Sequence, residues 1–117
     1  MDAINLVLIV APDRGFRRSL EFALEAEGFV VDSHASVSTA VESPRAPAAV
    51  CSVVDEDALQ GWTPGPQIFE RLARPVILLA DRFLPYPEHA GITILTKPLL
   101  GKALIESVCA LAATARN

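Results

Sequence analysis

The stretch Asn5-Leu6-Val7-Leu8-Ile9-Val10-Ala11-Pro12-Asp13-Arg14-Gly15-Phe16 opens the chain with a continuous apolar run that stops at a proline and an aspartate. A run of this length without polar alternation is the pattern of a β-strand covered on both faces. Asp13 stands where a helix N-cap belongs, and Phe16, Leu20, Ala23, Leu24 and Glu27 follow at helical spacing. Gly28 closes that helix at the position where a left-handed residue costs least. One strand feeding one helix is the repeating unit of a parallel sheet.

Outward from this unit the alternation continues. Phe29 to Ser33 reads as a second strand, and Ser36 caps a short helix to about Glu42, ended by Pro44 and Pro47. Ala48 to Val54 is a third strand running into the acidic Asp55-Glu56-Asp57. A Gly- and Pro-rich loop follows, and Pro66 suits the first turn of a helix to about Ala73. Val76 to Ala80 and Ile92 to Leu95 are the fourth and fifth strands, and Leu99 to Ala115 is the last helix. Pro85 and Pro87 make a long helix between those last two strands unfavourable. The pattern predicts an α/β fold: a doubly wound, five-stranded parallel sheet of the flavodoxin-like kind, with the fourth helix short or missing. With no internal repeat and no linker, residues 1–117 read as a single domain.

Composition narrows the function. Half of the 117 residues are apolar (51%), which argues against disorder. No apolar run approaches the roughly 20 residues that span a bilayer, and the Met1-Asp2-Ala3 start carries no basic residue of a secretory signal. A cytoplasmic protein without a membrane anchor is the expectation. The net charge of −4 disfavours direct nucleic-acid binding, which rests on clustered Lys and Arg. Arg14, Arg17, Arg18, Arg71 and Arg74 instead read as solvated helix surface. Cys51 and Cys109 have no metal-ligand spacing and lie in apolar segments, so both read as buried thiols. His34 and His89 are isolated and read as loop or surface residues.

In a fold of this kind chemistry sits beyond the carboxyl ends of the strands. Those ends are Ala11-Pro12-Asp13, then Asp55 with Asp57, then Ala80-Asp81, then Thr96-Lys97-Pro98. The first of them is neither GxGxxG nor GxxxxGK[ST], so dinucleotide and nucleoside triphosphate binding lack support. HExxH, CxxC and GxSxG are absent as well. What remains is a strand-end carboxylate and a strand-end lysine, a pairing that favours the ionised acid and suits chemistry on phosphorus.

On these residues the chain resembles the receiver domain of two-component response regulators, over nearly its whole length. VLIVAPDRGFRRSLEFALEAEGFVV looks like that family's opening strand and helix, RPVILLA like its fourth strand, and ITILTKPL like its fifth. The resemblance implies that Asp55 accepts phosphate, that Lys97 contacts the phosphoryl oxygens and that the Lys97–Pro98 bond is cis. It also exposes departures. The family's acidic pair after the first strand, which holds magnesium, is Ala11 and Pro12 here, and Asp13 comes one residue later. The family's hydroxyl at the end of the fourth strand is Ala80, and its switching aromatic on the fifth is Ile94. Asp81 places a negative charge where the family has a small residue. Gly65 falls beyond the family's usual glycine position, which reads as a short insertion or as Asp57 being the acceptor; strand length favours Asp55.

The resulting expectation is a non-enzymatic, atypical receiver that acts by protein–protein contact, with impaired or no magnesium-dependent phosphorylation. Asp13, Asp55 and Asp57 are the metal candidates, with magnesium bound at most weakly and no other cofactor. The alternative is a conventional receiver phosphorylated at Asp55, and further off stands a small flavodoxin-like ligand-binding domain or enzyme. The expected partners are proteins such as a sensor kinase or an output domain. Phe83 to Pro87 is a candidate contact surface, and the last helix is a candidate homodimer face.

Overall fold

The computed structural model describes residues 5–59, 75–80, 92–96 and 101–115. The elements are β1 (Leu6–Val10), α1 (Arg14–Ala26), β2 (Val30–His34), α2 (Val37–Glu42), β3 (Cys51–Asp55), β4 (Val76–Ala80), β5 (Ile92–Thr96) and α3 (Gly101–Ala115). Short 3-10 turns occupy Ala46–Ala48 and Glu56–Leu59. All five strands are parallel, in the order β2-β1-β3-β4-β5. This is the flavodoxin-like sheet that the sequence predicts.

The alternation of side chains along each strand builds two apolar layers. Leu8, Val10, Val54, Val76, Leu78 and Ala80 face one side and pack with Val37 and Ala40 of α2. Val7, Ile9, Cys51, Val53, Ile77 and Leu79 face the other, beneath Leu20 and Leu24 of α1 and Leu104, Val108 and Ala112 of α3. β1, β3 and β4 are buried at every position. Each fully buried Leu, Ile or Val side chain contributes about 1.5–3 kcal/mol of apolar transfer. The winding is therefore double, with helices on both faces of a central hydrophobic sheet.

Helix ends follow the local chemistry. Asp13 caps α1, its Oδ2 accepting from the Phe16 N–H at 2.7 Å, and Ser36 caps α2 through the Thr39 N–H at 3.3 Å. Gly28 sits at φ +93°, the left-handed conformation that the turn out of α1 requires.

Some expectations shift. β2 runs one residue later than predicted, ending on His34, and β3 begins at Cys51 rather than Ala48 because Ala46–Ala48 coil into a 3-10 turn around Pro47. After β3 the chain turns at once, Glu56–Leu59 forming a 3-10 turn that buries Ala58 and Leu59. Cys109 is exposed, not buried: it occupies the outer face of α3, while Leu104, Val108 and Ala112 supply the inner one. His34 is neither isolated nor in a loop, as described below. The predicted helix from Pro66 to Ala73 and the short or missing fourth helix, which concerns residues 81–91, lie outside the described residues. Three α-helices stand among the described residues. None of these is long and apolar enough to cross a membrane.

Candidate functional site

The strand order reverses direction between β1 and β3, and the carboxyl ends of these two strands flank the crevice where doubly wound sheets bind ligands. Val10 is in register with Val54, so Ala11 and Asp55 leave the sheet side by side. Asp55 is in register with Leu79, and the next residue of β4 is Ala80. Ala80 is in turn in register with Thr96, the residue before Lys97. The topology thus gathers the predicted positions Asp55 and Ala80 along one edge. Lys97, Asp81, Trp62, Gly65 and the Phe83–Pro87 stretch lie outside the described residues.

Asp55 is the last residue of β3 and is 1% exposed. A carboxylate buried this deeply needs polar partners, and the Asp57 N–H points toward its Oδ1 at 3.4 Å. Glu56 beside it is also buried, whereas Asp57 turns outward to solvent. Of the two acceptor candidates, Asp55 therefore holds the strand-end position and Asp57 the first turn after it.

The neighbouring loop carries little acid toward Asp55. Ala11 is fully buried and packs into the apolar layer beneath α1. Pro12 has neither an N–H nor a side-chain oxygen. Asp13 is exposed, and its carboxylate is occupied as the α1 cap. Among the described residues no three His, Cys, Asp or Glu side chains are grouped as a metal ion requires. Asp13, Asp55 and Asp57 do not converge. Ala80, at the hydroxyl position, is 2% exposed within the apolar layer on the α2 side. Ile94, at the aromatic position, is 37% exposed on edge strand β5.

Two arrangements were not foreseen from sequence. The Arg17 guanidinium reaches back over the β1–α1 loop, its Nη1 donating to the Ala11 carbonyl at 2.8 Å and to the Pro12 carbonyl at 3.4 Å. Its Nε lies 3.9 Å from Glu21, and the same Glu21 Oε2 accepts from the Ser33 hydroxyl at 2.6 Å. The i, i+4 spacing of Arg17 and Glu21 is the one sequence signal for this chain of contacts.

On the other face of β2, Asp32 and His34 point the same way, two residues apart. Asp32 Oδ2 accepts from the Ser43 hydroxyl at 2.6 Å and lies 3.0 Å from His34 Nε2. His34 Nε2 has no hydrogen-bond partner there, so the approach counts as a charge contact when the imidazole is protonated. His34 Nδ1 meets Thr39 Oγ1 at 3.1 Å. Burial raises the Asp32 pKa, but the hydrogen bond from Ser43, the close approach of His34 and the charge of Arg45 outweigh it and hold the carboxyl below its ordinary value of 3.8. This cluster ties α2 to the edge strand.

No family model matches the chain. It is 33% identical over 111 residues to the transcriptional regulator protein FixT of Rhizobium meliloti (strain 1021), a match covering 94% of this chain and 95% of that protein. Among solved structures, it is similar to a sensor protein from Polaromonas sp. JS666, with TM-score 0.76 and 23% identity over 95% of this chain and 98% of the other. It is also similar to a response regulator receiver protein from Sinorhizobium medicae WSM419, with TM-score 0.72 and 22% identity over 96% and 97% of the two chains.

Proposed function

Because the chain belongs to the response-regulator receiver family, as a relative of the transcriptional regulator protein FixT, we propose that it is a receiver that signals by protein–protein contact without conventional magnesium-dependent phosphorylation. One observation carries this reading. The loop that should present acids for the metal presents instead a buried methyl group at Ala11, a proline at position 12, and an Asp13 carboxylate engaged in capping α1. Magnesium takes hard oxygen ligands in near-octahedral geometry, and these residues do not fit it. The metal is what neutralises developing charge during phosphoryl transfer.

The rest of the edge supports the same reading. Ala80 has no hydroxyl to meet a phosphoryl group, and Ile94 has no ring to swing inward, so the chain lacks a bistable pair that phosphate could bias. Asp55 remains as a buried polar residue at the end of β3. Partners on this reading are proteins, such as a sensor kinase or an output domain. The net charge of −4 argues against direct contact with nucleic acid and for an indirect route to transcription. The working compartment is the cytoplasm, and no catalytic step is assigned to the chain.

The test is regulatory output in cells. A strain lacking the chain is complemented with the wild type, with Asp55→Ala or with Asp55→Asn, with protein levels matched by immunoblot, and its transcripts are sequenced. Both variants should restore the wild-type transcript profile. Variants that accumulate normally yet behave like the deletion would overturn this reading.

A further inference from the structure

We propose that α1 is a self-complementary surface on which two copies of this chain pair antiparallel about a two-fold axis. This goes beyond the contact function above and uses residues that take no part in the Asp55 edge.

Arg18, Phe22 and Glu25 follow at i, i+4 and i+7 and so share one face of α1. Phe22 is 77% exposed, the most exposed large apolar side chain among the described residues. Together with Ser19 and Glu21, these three residues line one shallow depression on the protein surface. Neither Arg18 nor Glu25 forms an ion pair among the described residues.

Beyond the Asp13 cap, whose carboxylate does complement the positive end, the charges within α1 run against the helix. α1 has no acidic residue in its first turn and no basic residue in its last. Arg14 stands instead at the positive end of the macrodipole, and Glu25 near the negative end. Each such opposed charge costs about 0.3–1 kcal/mol at an exposed site. Sequences that break a local rule in this way do so at surfaces with another role.

An antiparallel copy resolves the conflict. With the axis passing between Glu21 and Phe22, Arg18 faces Glu25 of the partner subunit, and the symmetric pair forms at the other end. The two Phe22 rings come together near the axis, where apolar contact is worth most. The two dipoles oppose, so each basic half meets an acidic one. A C2 interface needs this kind of self-complementarity, in which residue i contacts j and j contacts i. One helix face is smaller than the roughly 800 Å² per partner of a stable complex, so the pair is weak and depends on concentration.

Sedimentation of the full chain over a concentration series up to about 1 mM tests the pairing. The wild type should show a reversible monomer–dimer equilibrium. Arg18→Glu and Glu25→Arg should each weaken it at least tenfold, and Phe22→Ser should abolish it. The double variant Arg18→Glu/Glu25→Arg puts opposite charges back across the axis and should recover the dimer. Both single charge variants agree better with the macrodipole, so their thermal midpoints, read in dilute solution, should be unchanged or higher; loss of pairing is thereby separated from loss of folding. A wild type that stays monomeric, a double variant that does not recover, or a dimer indifferent to all these substitutions overturns the proposal. So does a monomer that engages only a foreign helix through this face.

Discussion

The Arg17 guanidinium donates to the Ala11 carbonyl oxygen at 2.8 Å, which fixes a positive charge on the β1–α1 loop beside the strand that ends in Asp55. The contact closes the loop from within the chain. Arg17→Ala removes it together with the Pro12 contact and the 3.9 Å approach to Glu21. The expected cost is about 1–2 kcal/mol, most of it from the charge-assisted hydrogen bond and little from the surface ion pair. Urea unfolding measures the loss, and amide hydrogen exchange at positions 13–16 should quicken.

Asp13 divides a capping role from a metal-binding one. Asp13→Ala should cost about 1 kcal/mol by leaving the Phe16 N–H without its side-chain acceptor. Asp13→Ser should recover most of that, because a hydroxyl caps as well and carries no charge. A thermal melt separates the two variants.

The strands and the α1 cap were legible because they rest on local chemistry and on burial: an unbroken apolar run at Leu6–Val10, an aspartate before a 3.6-residue period, a glycine after it. The site was legible only in part. That β3 ends at Asp55 follows from strand length, and that Ala11 is buried follows from its place in an apolar run. Arg17 folding back onto Ala11 and His34 meeting Asp32 and Thr39 depend on how β1, β2 and the helices lie in space, which no one-dimensional period encodes. Cys109 misled because α3 is apolar on most of its circumference, so composition did not say which side faced the sheet.

The depressed pKa of Asp32 makes stability depend on pH in a definite direction. A carboxyl whose folded value is lowered contributes stability that is fully present above its unfolded value of about 3.9 and is lost as pH falls through the folded value below that. Asp32→Asn should therefore be less stable than wild type at neutral pH, with the gap narrowing once the pH drops below about 4. Urea titrations at a series of pH values give both curves. A gap that stays constant down to the acid limb would contradict a lowered Asp32 pKa.

The two thiols should differ sharply in reactivity. Burial pushes the Cys51 thiol up to about 12 and encloses it in β3, whereas Cys109 faces solvent. Alkylation of the native protein near pH 8 should label Cys109 and leave Cys51 unmodified until urea unfolds the sheet. Peptide mass spectrometry reads both sites.

A titration of magnesium with beryllofluoride, an analogue of the phosphoryl group, probes the edge where Ala11 and Asp55 emerge together. Binding is followed by calorimetry and by the fluorescence of Trp62, the chain's single tryptophan. The expected result is no saturable response at millimolar magnesium, with identical traces for wild type and Asp55→Ala. A saturable response in the wild type that Asp55→Ala abolishes would show instead that this edge still assembles a metal-dependent phosphoryl site.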